Sequence, residues 1–244
     1  MGMKKFITIS IILFISGILY AQQEREVGAI NAERLGIESA QQELKEISVD
    51  KFEHDGFWRS SMSTDEGYVI SRLFSSVGSQ DKQPIPDEEG LDIPDRHVLG
   101  TRVDYLRRGH NSFLIYPARP IPVEGITKTL SMWVAGRNFN HDLYVLIQDF
   151  FGRNYEFFMG KLNFMGWKKL VVAVPPQSED GFSGVIQRNY HYNNQMGIKI
   201  MGFRVVCNLA ETYGSYYIYF DDLRAVTDLF TENNRDSDDM VDGW

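Results

Sequence analysis

The stretch that decides the fold is LSMWVAGRNFNHDLYVLIQ, residues 130–148. Leu130, Met132 and Val134 alternate with Ser131, Trp133 and Ala135. After Gly136-Arg137-Asn138, Leu143, Val145 and Ile147 alternate with Tyr144, Leu146 and Gln148. Successive side chains of a strand point to opposite faces, so a period of two that is broken by Gly and Asn reads as two strands and a turn. The same pattern extends outward. Tyr155, Phe157 and Met159 share one face, as do Leu170, Val172 and Val174 before Pro175-Pro176, and Met201, Phe203, Val205 and Cys207. Tyr216 to Phe220 is an aromatic strand running into Asp221-Asp222-Leu223. Asp149-Phe150-Phe151-Gly152 and Met165-Gly166 supply further turns. Alternation begins at Val49 and is clearest after residue 98, with no strand–helix alternation. These features predict an all-β antiparallel sandwich or barrel over residues 49–230. Trp167, just after the Gly166 turn, is expected to pack at the edge of that sandwich.

The composition agrees. Of 244 residues, 43% are apolar and 13% aromatic, enough to build a sizeable core and biased toward strands. The formal net charge of −8 argues against binding the phosphate backbone of nucleic acid, which requires a basic face. The single cysteine, Cys207, excludes an internal disulfide and any multi-cysteine zinc site; its strand-like surroundings suit a buried packing role.

The flanks differ in character. Residues 1–21 have Lys4 and Lys5, an apolar run from Phe6 to Leu19, and Ala21 before Gln22. That order is expected of a cleaved secretory signal peptide, leaving no membrane span. Cleavage would remove two lysines, taking the charge from −8 to −10. Residues 22–48 are rich in Glu, Gln, Lys and Ala, with Ile37, Ala40, Leu44 and Ile47 at helical spacing; a helical arm is expected, folded on the domain or reaching another subunit. Residues 78–96 form an acidic, proline-containing loop, and residues 177–197 a second irregular stretch containing Tyr190, His191 and Tyr192. Residues 231–244 form an acidic tail, expected to be disordered.

Catalytic chemistry is sparse. The sequence has no Gly-rich phosphate loop, no His-Glu-x-x-His and no Gly-x-Ser-x-Gly, and its five histidines stand singly. Adjacent carboxylates at Asp221-Asp222 should point to opposite faces of a strand, unlike a glycosidase pair. Glu53 and an Asp of 221–222 would share a structural Ca²⁺ only if the first and last strands lie side by side. No catalytic residue, cofactor or resident metal is expected, and the chain reads as a binding or assembly protein rather than an enzyme. Trp58, Trp133, Trp167, Tyr190, Tyr192, Tyr217 and Tyr219 are the aromatic candidates for a stacking or docking surface. The cluster Tyr190, His191 and Tyr192 is the interface candidate, because buried aromatics dominate interface energetics.

A family likeness rests on the runs Trp-Val-Ala-Gly-Arg-Asn-Phe (133–139), Leu-Asn-Phe-Met-Gly-Trp-Lys-Lys-Leu (162–170) and Tyr-Tyr-Ile-Tyr-Phe-Asp-Asp-Leu (216–223). They resemble the spirochaete flagellar filament outer layer, or sheath, protein family, FlaA, over about residues 49–230. Phe52-Glu53 and Asp221-Asp222-Leu223 are also similar to the opening and closing strands of jelly-roll carbohydrate-binding modules, which implies a jelly-roll-like sandwich. The first resemblance implies a periplasmic structural protein that coats a flagellin core beside other sheath proteins and copies of itself, contributing to filament shape and motility. The second leaves a secreted carbohydrate-binding module as the alternative.

Overall fold

The computed structural model describes residues 42–177, 184–187 and 197–230. Twelve strands follow in chain order: β1 (Leu44–Asp50), β2 (Trp58–Met62), β3 (Gly67–Ser75), β4 (His97–Tyr105), β5 (Ser112–Pro117), β6 (Ile121–Val123), β7 (Ile126–Ala135), β8 (Asp142–Gln148), β9 (Asn154–Lys161), β10 (Trp167–Ala173), β11 (Ile198–Val206) and β12 (Ser215–Asp228). They form two antiparallel sheets. One runs β10-β7-β12-β4-β3, with β1 also on β12; the other runs β2-β5-β11-β8-β9, with β6 also on β11. The expected all-β sandwich is therefore what the chain forms.

The core lies between the sheets. Leu130, Met132 and Val134 of β7, Leu143, Val145 and Ile147 of β8, and Tyr216, Ile218 and Phe220 of β12 are all fully buried there, as the alternation predicts. The sheets meet through aromatic rings. Phe203 of β11 stacks across the sheets on Phe220 of β12 at 5.7 Å, and within its own sheet on Trp58 of β2 at 5.5 Å. Each large apolar side chain removed from water contributes about 1.5–3 kcal/mol, so these rings weigh heavily in the balance. Trp167 is half-buried on β10, an edge strand, with Ala135 as its cross-strand partner.

Two departures have local causes. On β11, Ile198 and Ile200 face the core, then Phe203, Val205 and Cys207 do; Met201 does not. The register shifts between Ile200 and Gly202, where φ is 137°. A Cβ on Gly202 would lie 2.4 Å from the Ile115 carbonyl oxygen, so glycine permits both the bulge and the close approach of β5. At the N-terminus, the expected helix over 22–48 lies outside the described residues up to 41, and its end is strand, not helix. Leu44 to Ser48 belong to β1, paired from Leu44–Asp228 onward. β4 covers β12 only from Ser215 to Phe220, so the rest of that side of β12 is open, and β1 fills it.

Candidate interaction surface

Three polar clusters combine buried or half-buried titratable side chains, and in each the groups bond chiefly to one another. The first is inside the sandwich. His141 is fully buried; its Nδ1 accepts from the Asn208 N–H at 3.1 Å, so Nε2 carries the proton and faces the Tyr105 hydroxyl at 3.1 Å. Tyr105 in turn lies 3.2 Å from the Cys207 sulfur. Burial lowers the His141 pKa to about 4, against the opposing pull of Glu211 and Asp142. It pushes the Cys207 thiol up to about 12, so Cys207 is a packed thiol and not a nucleophile.

The second cluster sits where β12 bends. Asp222 has φ of 53°, and the strand register shifts there. The left-handed residue breaks the alternation expected of Asp221-Asp222, and both carboxylates are buried. Lys82 Nζ reaches Asp221 Oδ2 and Asp95 Oδ1, each at 2.7 Å, while Arg224 Nε donates to Asp222 Oδ2 at 2.7 Å. Burial pushes the Asp221 carboxyl up to about 6 despite Lys82. Burial also disfavours the Lys82 ammonium, but its bonds to Asp221 and Asp95 outweigh this and keep it charged. Gly78, at φ 68°, passes so close to Asp221 that any side chain there would collide with the carboxylate.

The third cluster joins Glu53 to β4. Glu53 Oε1 accepts from the His97 N–H at 2.7 Å and Oε2 lies 2.7 Å from His97 Nδ1. Burial would raise this carboxyl, but the His97 and Arg96 hydrogen bonds hold it below the usual range. β1 and β12 are indeed neighbours, yet Glu53 and Asp221 serve different partners. Among the described residues no three His, Cys, Asp or Glu side chains gather to hold a metal.

The loop 78–96 is not the free acidic arm its composition suggests. Asp87 pairs with Lys45, Glu88 with Lys51 and Asp95 with Lys82. A short 3-10 turn at Pro86–Glu88 holds its middle, and Ile85 is buried beneath it. The tip, residues 89–93, is exposed throughout.

The aromatic candidates divide. Trp58 is core rather than surface: it is buried, and its Nε1–H donates to Asp50 Oδ2 at 3.3 Å. Trp133 and Trp167 are half-buried. Tyr190, His191 and Tyr192 lie outside the described residues. Tyr217 and Tyr219 point outward from β12, where they meet residues that sequence reading did not connect with them. Tyr217 and Ile70 flank Arg102 in the cross-strand register, and Tyr219 and Arg72 flank Gly100. The Phe74 and Tyr219 rings meet edge to face at 5.6 Å above Gly100, where a Cβ would lie 2.4 Å from Phe74 and 2.9 Å from Tyr219. Guanidinium groups lie over these rings: Arg72 at 4.6 Å from Phe74, Arg102 at 5.8 Å from Tyr217 and Arg137 at 5.2 Å from Tyr219. The result is an open groove of about 390 Å³ lined by Ile70, Arg72, Phe74, Arg102, Tyr217 and Tyr219. Rings and guanidinium groups on a sheet face suit contact with another molecule, and nothing in the groove resembles an acid–base pair.

Comparison with known proteins gives a consistent set of relatives. The profile of the flagellar filament outer layer protein family matches residues 21–235. A flagellar filament outer layer-like protein of Brachyspira hyodysenteriae is 36% identical over 196 residues, covering 80% of this chain and 85% of that one. The flagellar filament outer layer protein of Spirochaeta aurantia is 28% identical over 209 residues, 60% of its length, and that of Treponema pallidum 31% identical over 105 residues, 30% of its length. Among solved structures, a family 61 carbohydrate-binding module in complex with β-1,4-galactotriose is 12% identical. The alignment covers 72% of this chain and 96% of that one, with a TM-score of 0.39. A family 11 module of a Clostridium thermocellum cellulosomal cellulase is 10% identical; its alignment covers 75% and 94%, with a TM-score of 0.40.

Proposed function

Since the chain belongs to the flagellar filament outer layer protein family, we propose that it is a structural subunit of the sheath coating the flagellin core of a periplasmic flagellum. The observation that carries this reading is the extent of the family match: residues 21–235 include every strand from β1 to β12. The partners are the flagellin core, other sheath proteins and copies of this chain. Such a subunit needs outward-facing contact surfaces and no reaction centre. The sandwich meets the first need with the arginine–aromatic face of β3, β4 and β12, while the buried groups His141, Asp221 and Asp222 are engaged by neighbours within the chain. Export follows from the leader at residues 1–21, so the native protein starts at Gln22. Tyr190, His191 and Tyr192 supply further contact area.

The test is isolation of periplasmic flagella, with labelled antibody against this chain seen along the filament in electron micrographs. Intact mass of the filament-bound protein should correspond to a chain beginning at Gln22. Changing Tyr190 and Tyr192 to Ala should leave melting unchanged and lower incorporation. Absence of the protein from filaments, with specific retention on a glycan array, would replace this reading with the carbohydrate-binding module.

A further inference from the structure

We infer that copies of this chain join head to tail, the tip of loop 78–96 of one copy seating in the arginine–aromatic groove of the next. The inference rests on the sheath-subunit reading for its setting, and on two complementary surfaces for its content. The groove is apolar and basic. Tyr68 beside it and Ile70 in its lining are 65% and 62% exposed. Arg102 is held by Asp104, but Arg72 in the groove and Arg137 over the Tyr219 ring have no carboxylate partner among the described residues. The loop tip is apolar and acidic. Leu91 and Ile93 are 62% and 37% exposed. Glu89 and Asp92 beside and between them have no ion-pair partner among the described residues, whereas Asp87, Glu88 and Asp95 on either side of the tip do. The pairs of Glu88 with Lys51 and Asp95 with Lys82 anchor the chain on either side of the tip.

Among the described residues, neither Glu89 nor Asp92 forms an ion pair with Arg72, Arg102 or Arg137 of the same molecule. Lys45 of β1 and Lys51 just after it pair with Asp87 and Glu88, and Lys82 ties the loop to Asp221; β1 borders β12 beyond the bend at Asp222. The groove borders β12 before that bend. Contact between different patches is heterologous, and such contacts repeat without closing unless the rotation happens to form a ring. An open-ended repeat is what a layer along a filament requires.

Engineered cysteines test this directly, because Cys207 is buried. Leu91→Cys and Tyr217→Cys proteins are prepared separately, then oxidised alone and as a mixture. The experiment is run in concentrated solution and, with both variants co-expressed, on isolated filaments. The mixture should give a disulfide between the two variants, and neither variant alone should dimerise to a comparable extent. Adding Arg72→Glu to the groove protein should lower the yield more than about tenfold, since like charges placed in contact are strongly disfavoured. Asp92→Arg on the loop protein should restore it. No mixed disulfide in either setting, or a yield indifferent to Arg72→Glu, overturns the inference. If the protein is found on filaments without the mixed disulfide, head-to-tail docking alone fails. If the mixed disulfide forms in solution but the protein is absent from filaments, the docking stands and the sheath reading fails.

Discussion

Acidification should weaken the sandwich through His141, by an amount its surroundings fix. Its pKa is about 4 in the fold and about 6.5 in an unfolded chain. The fold therefore holds the neutral ring. The cause is burial, and the hydrogen bonds agree: Nδ1 is the acceptor for the Asn208 N–H, so a proton placed there would face another donor. Between pH 6.5 and pH 4 the unfolded chain binds more protons than the folded one, so stability falls as pH falls. It is fully present above about 6.5 and lost by about 4. A shift of this size corresponds to about 3 kcal/mol, a large share of the 5–15 kcal/mol typical of a domain. Other groups titrate in the same range, and Asp221, with its raised pKa, acts in the opposite direction. The measurement is therefore a difference. Urea unfolding of wild type and His141→Gln is followed from pH 8 to pH 4.5. The variant should be the less stable at pH 8, and the gap should shrink steadily below about pH 6.5. Two parallel profiles would refute the argument, as would a His141 ring that titrates near 6.5 by NMR in the folded protein.

Lys82→Met should cost about 3 kcal/mol or more, because it strands Asp221 in a site where Asp221 Oδ1 and Asp222 Oδ1 already lack protein partners. Adding Asp221→Asn should recover much of that loss in the same melting experiment; no recovery would mean that Lys82 acts through packing alone. Trp58→Ala should cost about 3–5 kcal/mol by emptying the space against Phe52 and Phe203, whereas Trp58→Phe should cost less, mainly the bond to Asp50. Equal losses for the two Trp58 variants in urea unfolding would count against a packing role for the indole. Gly100→Val should destabilise β4 and part the Phe74 and Tyr219 rings, visible as changed shifts for both in NMR spectra.

Strands buried on one face were legible. β7 and β8 keep strict alternation because one set of side chains fills the core and the other does not. β11 misled at Met201 because a glycine bulge changes which face follows, and Gly202 looks like an ordinary small residue in sequence. β1 misled for a different reason. Leu44-Lys45-Glu46-Ile47-Ser48 has helix-forming residues with apolar spacing that also fits a helix, but the uncovered side of β12 decides its conformation. The groove was half visible. Tyr217 and Tyr219 share a face by their spacing, but Arg72, Phe74 and Arg102 arrive from strands more than a hundred residues earlier, and only register brings them together. The loop 78–96 had the right outline and the wrong freedom, since Lys45, Lys51 and Lys82 neutralise acids that looked available.

The placement of β1 also bears on when the chain can finish folding. Glu43 donates its backbone N–H to the Asp228 carboxylate, 185 positions away, and β1 finds its strand partner only in β12. During synthesis the earliest strand of the sandwich therefore waits, unpaired, until the latest has emerged. Contacts of such long range slow folding, because the loop between them must close before they stabilise anything. The final seam of the sandwich therefore stays open until nearly the whole polypeptide is available to close it.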